Sequence, residues 1–252
     1  MSYPNEIDLF VAKVDNFDDV MAADINELQT SIMASQAYFG TQIQFGWLPL
    51  PTCTYVSPTS FTLPGNLTSF LKIGTRFRCE NGPRKYGYVL NNLYSIDLNR
   101  TTVNLVPNTS YVLAAGGITG AYISYANPPD FPDWLSWAPT FTGYSSAPTG
   151  GVYRFKVDGR QVTAVICEPN NGTSNLSSLT MTSPLTAATI TNALWMGAAA
   201  FMDNGGALTN WGNVRISTVG SSFVFGINPS VIGGFTSSGY KRVIEAQIVY
   251  EI

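Results

Sequence analysis

The 252-residue chain contains no histidine. That absence removes Ser-His-Asp and Cys-His activation, in which an imidazole takes the nucleophile's proton, together with the commonest metal ligand. The cysteines, Cys53, Cys79 and Cys167, are odd in number and widely spaced. They fit neither a disulfide framework nor a zinc site, and are expected to be buried thiols. "AAGGITGAY" lacks the ending of a phosphate-cradling loop, and no clustered acidic calcium loop is present. What remains is glycoside hydrolysis, which needs only two carboxylates at a set separation. The C-terminal half offers Asp158, Glu168, Asp203, Glu245 and Glu251. Asp158 belongs to a turn signal, and Glu245 and Glu251 fall on the outward face of a strand pattern. Glu168 and Asp203 are too thin a basis for catalysis. The expectation is a protein that is not an enzyme, with no catalytic residue, no metal and no cofactor.

A binding surface is easier to build from this composition. Asn, Ser and Thr side chains hydrogen-bond hydroxyl groups, and exposed aromatics stack on sugar rings. "EPNNGTSN" and "MDNGGALTNWG" are Asn/Gly-rich loops of the kind that carry recognition on a rigid sheet. They single out Asn171, Asn204, Asn210 and Trp211 as candidate ligand-binding residues. Trp195, inside "ALWMGAAAF", reads as core. Arg76, Arg78, Arg84 and Lys85 cluster in sequence, and alternation puts Arg76 and Arg78 on one strand face with Phe77 and Cys79 on the other. A solvated face is the expected use of these basic residues, and an anion or acidic-glycan contact is the alternative.

The elements that must position these residues change character along the chain. "DNFDDVMAADINELQTSIMASQ", residues 15–36, reads as one helix, with Asp15 or Asn16 as cap and Asp18 and Asp19 in the first turn. Met21, Ile25, Leu28, Ile32 and Phe39 follow coiled-coil spacing and are the candidate oligomerisation residues. The stripe either packs on its own domain or self-associates. From Thr52 the pattern becomes short strands bounded by turn residues. "ANPPDFPDWLSWAP" is the clearest boundary, with four prolines in fourteen residues. It could hold a sugar subsite around Asp130, Asp133, Trp134 and Trp137, but tryptophans folded over a joint are the expected outcome. Beyond it, "VYRFKVDGRQVTAVIC" reads as a hairpin turning at Asp158-Gly159. "NVRISTVGSSFVFGI" reads as another, and the last strand places Ile244, Ala246, Ile248, Tyr250 and Ile252 on one face.

The fold class is therefore mainly β: an N-terminal α-helix, a small antiparallel β-barrel or sandwich, then a C-terminal jelly-roll-like β-sandwich of seven or eight strands. The divisions fall at 1–45 for the helical segment, 46–127 for the small module, 128–139 for the Pro/Trp-rich linker and 140–252 for the C-terminal module, which is expected to fold alone. A formal charge of −3 supplies no field for nucleic acid. No apolar run reaches membrane-spanning length, and the opening residues lack the pattern of a signal peptide.

"NFDDVMAADINELQTSI" resembles the N-terminal segment of tailed-bacteriophage virion proteins of the fibre and spike type. "TYVSPTSFTLPGNLTSFLKIGTRFRC" is similar to a small β module of the same proteins, and "WLSWAPTFTG" through "SGYKRVIEAQIVYE" to their C-terminal module. The resemblance implies a virion structural protein, homotrimeric and fibre-like, which docks on other virion proteins through its N-terminal segment and displays β modules for host-surface glycan binding. Assembly would occur in the host cytoplasm, with exposure on the particle surface. A capsid decoration or head-fibre protein with a structural role only is the alternative. The modules follow one another with no long shaft or β-helix between them, a departure from the family pattern that makes a polysaccharide-degrading spike the less expected reading.

Overall fold

The computed structural model describes residues 25–37, 46–189, 194–205, 210–217, 220–228 and 232–252. Residues 25–37 form helix α1, in which Thr30 and Ser35 donate to the carbonyls of Asn26 and Ser31. The seam residues Ile25, Leu28 and Ile32 are 39%, 61% and 38% exposed, so the seam is not buried against either sheet. Met21, Phe39 and the expected cap lie outside the described residues.

Among the described residues the strands form two antiparallel sheets, as the turn-punctuated sequence predicts. The first contains β1 (Leu48–Pro49), β2 (Thr54–Ser57), β3 (Ser60–Pro64), β4 (Arg76–Glu80), β5 (Arg84–Ser95), β6 (Arg100–Leu105) and β7 (Thr119–Ser124), in the order β1-β7-β4-β5-β6-β3-β2. Its curled inner face encloses Phe61, Leu63, Phe77, Cys79, Val89, Val103 and Ile123. Cys53 and Cys79 are buried there, and burial pushes both thiols up to about 12, so neither is a nucleophile at neutral pH. Cys167, by contrast, is only half-buried.

The second sheet contains β8 (Leu135–Ser136), β9 (Phe141–Thr142), β10 (Tyr144–Ser146), β11 (Val152–Asp158), β12 (Gln161–Cys167), β13 (Gly172–Ser174), β14 (Thr180–Thr182), β15 (Leu194–Met202), β16 (Asn210–Ser217), β17 (Ser222–Gly226) and β18 (Tyr240–Glu251). Its main path runs β8-β11-β12-β18-β15-β16-β17-β14-β9, with β10 and β13 branching beside β18. This exceeds the seven or eight strands expected. The additional pieces are two or three residues long, too short to show alternation in sequence. The β11–β12 turn falls on Gly159-Arg160, because Asp158 already pairs with Gln161.

The last strand also departs from a single row. Ala200 faces Glu245 but Phe201 faces Val243, so Ile244 is the extra residue of a β-bulge. Val243 and Lys241 face the core before it, and Ala246, Ile248, Tyr250 and Ile252 after it. Ile244 itself is half-buried.

The first sheet keeps the core on its inner face but shares a second one with the other sheet. Trp47, Tyr88 and Val106 of the first belong to one apolar cluster with Phe131 of the linker and with Leu135, Trp137, Phe155 and Val157 of the second. Phe131 lies 5.1 Å from the Tyr88 ring and 6.2 Å from Trp47. The Pro/Trp-rich segment is thus folded into a joint rather than stretched as a spacer. This predicts that Phe131→Ala destabilises the protein by about 3–5 kcal/mol, and that both sheets melt together. Calorimetry showing two separated transitions in the wild type would contradict a shared core.

Candidate functional site

The arginine face of β4 is not solvated as expected. Phe77 and Cys79 face the first core, whereas Arg76 is 6% exposed and Arg78 half-buried against the joint. Arg76 Nη2 donates to Asp158 at 2.7 Å, and its guanidinium lies 5.8 Å from the Tyr88 ring and 5.6 Å from Phe131. Arg78 pairs with Asp130 at 2.5 Å and sits over Trp47 and Tyr122. Trp47 Nε1 also donates to Asp130. Burial alone would raise the Asp130 carboxyl, but the Trp47 and Arg78 hydrogen bonds and the Arg78 charge outweigh it and hold it below the usual range. These groups are the mortar of the joint. Trp137 is buried in the shared core, donating to the Thr182 carbonyl, and Trp134 is half-buried beside Arg154 and Lys156.

Glu168 and Asp203, the two carboxylates weighed for hydrolysis, are both structurally occupied. Asp203 accepts from the Thr236 amide and hydroxyl. Glu168, 1% exposed, accepts from the Val243 amide at 2.7 Å, from Tyr144 at 3.0 Å and from Tyr153 at 3.4 Å. Burial pushes its carboxyl up to about 7, against the lowering effect of those three donors and of Arg242. Nearby, Lys241 is buried and donates to the carbonyls of Leu176 and Ser178, and burial lowers its pKa.

The four predicted ligand-binding residues are not brought to one place. Asn171 lies on the loop entering β13, and Asn204 lies beyond β15, where its φ of 51° puts it in the left-handed region. They sit on opposite sides of the first half of β18. The Asn210 side chain lies outside the described residues. Trp195 is half-buried against the core, as expected.

Trp211 is different. It is 69% exposed near the start of β16, on the outward face of the second sheet. In that register Trp211 faces Ala200, which faces Glu245; in the next row Asn213 faces Ala198, which faces Gln247. The two alanines make a low floor between the indole on one side and a carboxylate and an amide on the other. The result is a groove of about 220 Å³. On the side of β16 away from the groove, Gly212 lets β17 lie close, since a Cβ there would meet the Gly226 carbonyl at 1.9 Å. Asn213, buried one row along β16, donates to the Asn228 carbonyl, while its Oδ1 has no hydrogen-bond partner. An indole face flanked by hydrogen-bonding groups suits a pyranose ring, with C–H bonds on the aromatic and hydroxyls on Glu245 and Gln247. Sequence reasoning had set Glu245 aside and missed Gln247. The signal was their outward alternation on β18, which acquires meaning only with the register to β15.

Comparison with protein-family models, curated proteins and solved structures finds no match. Among the described residues no helix is long and apolar enough to cross a membrane, and no group of three His, Cys, Asp or Glu could hold a metal ion.

Glu168 generates a pH prediction. Its folded pKa exceeds the ordinary 4.5, so the folded state holds the proton more tightly than the unfolded chain. The stability this gives is fully present below about pH 4.5 and is lost as pH rises through about 7. The loss should reach ~3 kcal/mol, at about 1.4 kcal/mol per unit. Glu168→Gln should flatten this part of the profile in denaturant titrations between pH 5 and 8; an unchanged slope would show that another group controls it.

Proposed function

We propose that the chain is a fibre-like bacteriophage virion protein that binds host-surface glycan and is displayed as a homotrimer. The observation that carries the reading is the exposed Trp211 indole facing Glu245 and Gln247 across a floor of alanines. The exposed seam of α1 supports the assembly half, because Ile25, Leu28 and Ile32 recur at coiled-coil spacing and are left for further copies of the same helix. The segment outside the seam docks on other virion proteins, and the site binds without catalysis. The resemblance of the N-terminal segment and both modules to tailed-phage virion proteins supplies the setting.

Trp211→Ala should weaken binding to the host cell surface about tenfold, equivalent to ~1.4 kcal/mol, with unchanged circular dichroism and melting. Undiminished adsorption by that variant would refute the platform. The assembly half is tested separately by light scattering. The pair Ile25→Ser and Leu28→Ser should convert a trimer to monomers while the β body stays folded. A monomeric wild type at micromolar concentration would refute self-association. Because three weak sites acting together give avidity, this double variant should lose more binding to a crowded cell surface than to a soluble monovalent sugar.

A further inference from the structure

The joint between the sheets contains a second cavity, distinct from the Trp211 groove, of about 160 Å³. Its wall brings together two sequence features that lie far apart, the arginine strand β4 and the Pro/Trp-rich segment. Arg76 lines it while almost wholly buried, and only its Nη2 bond to Asp158 is met by a carboxylate; its Nε is buried without a hydrogen-bond partner. Lys156 adds an ammonium 5.4 Å from the Trp134 ring, and among the described residues no carboxylate pairs with it. Asp133 is likewise unpaired there, and Asn127 contributes an exposed amide.

This lining is neither a simple anion trap nor an apolar pocket. Lys156 and the remaining donors of Arg76 call for an anionic acceptor. Asp133 and Asp158 would repel a bare anion, and call for a ligand that also carries hydroxyl donors. A compact ligand meeting both demands has one carboxylate and several hydroxyls on a ring small enough for the cavity.

We infer that the cavity at the joint binds an acidic monosaccharide unit, with its carboxylate held by Arg76 and Lys156, its hydroxyls by Asp133 and Asn127, and its ring beside Trp134. The site is independent of the Trp211 platform and does not need that platform to bind sugar.

The test uses the full chain and three probes followed by titration calorimetry: sodium glucuronate, glucose and inorganic phosphate. Glucuronate should bind saturably, with glucose and phosphate each at least tenfold weaker. Lys156→Gln should reduce glucuronate affinity at least tenfold with unchanged melting, and Asn127→Ala should reduce it severalfold. Trp211→Ala should leave it intact. No saturable glucuronate binding, phosphate binding as tight as glucuronate, or indifference to Lys156→Gln would each overturn the assignment. Loss of glucuronate binding in Trp211→Ala alone would place the acid on the platform and overturn it equally. Failure of Trp211→Ala to affect host adsorption bears on the platform only.

Discussion

Arg76 is out of water, and a buried guanidinium is tolerated only where its charge is met. Asp158, at the tip of the β11–β12 hairpin, meets it from the opposite sheet, and the rings of Tyr88 and Phe131 lie beside it. The backbones close in at the same place: a Cβ on Gly74 would stand 2.0 Å from the Gly159 carbonyl oxygen. Gly74 also has a φ of 80°, so any side chain there would be strained as well as obstructed. Sliding one sheet over the other would break the ion pair and leave the buried arginine's charge uncompensated. It would also wet Trp47, Tyr88 and Phe131. The orientation of the sheets is therefore set by packing and charge together, and the sequence between them acts as a wedge.

Much of the architecture was legible because alternation reports burial directly. Phe155 and Val157, Val214 and Ile216, and Phe223 and Phe225 alternate along their strands and all face the core. Alternation separates two faces of a strand, however, and does not say what covers the second. Arg76 and Arg78 were assigned to the correct face, yet solvent was the wrong covering, because the linker and β11 return over it. The Ile244 bulge was unreadable for a related reason. One inserted residue breaks no hydrophobic pattern when Val243 takes the place in the core that Ile244 vacates. The shortest strands, such as Leu135–Ser136 and Phe141–Thr142, exist only because a neighbour pairs with them.

The candidate site was half legible. Trp211 stood out as a large aromatic between Asn210 and Gly212, where no apolar period called for it. Glu245 and Gln247 carry no such local mark, since an outward carboxylate and amide on a last strand are ordinary. Their role depends on two alanines of β15 lying between them and the indole. Asn171 and Asn204 lie apart because loops alike in composition can flank different edges of a strand.

A low-charge β body nevertheless keeps three ionisable groups at one end of the second sheet, and all three fasten irregular backbone. Lys241 satisfies carbonyls at Leu176 and Ser178, Asp203 holds Thr236, and Glu168 takes the Val243 amide beside the bulge. Each replaces a partner that water would otherwise supply to chain outside the ladder. The strand that carries Val243 continues through the bulge to Glu245 and Gln247, so the groove's polar wall is anchored from the same end. A wall already fixed loses little freedom when a ligand arrives, which matters most for a sugar, whose weak contacts cannot offset much ordering entropy. In the proposed trimer that rigidity acts a second time. Copies held at fixed spacing by a locked joint convert modest single-site binding into avidity, which a flexible joint would dissipate.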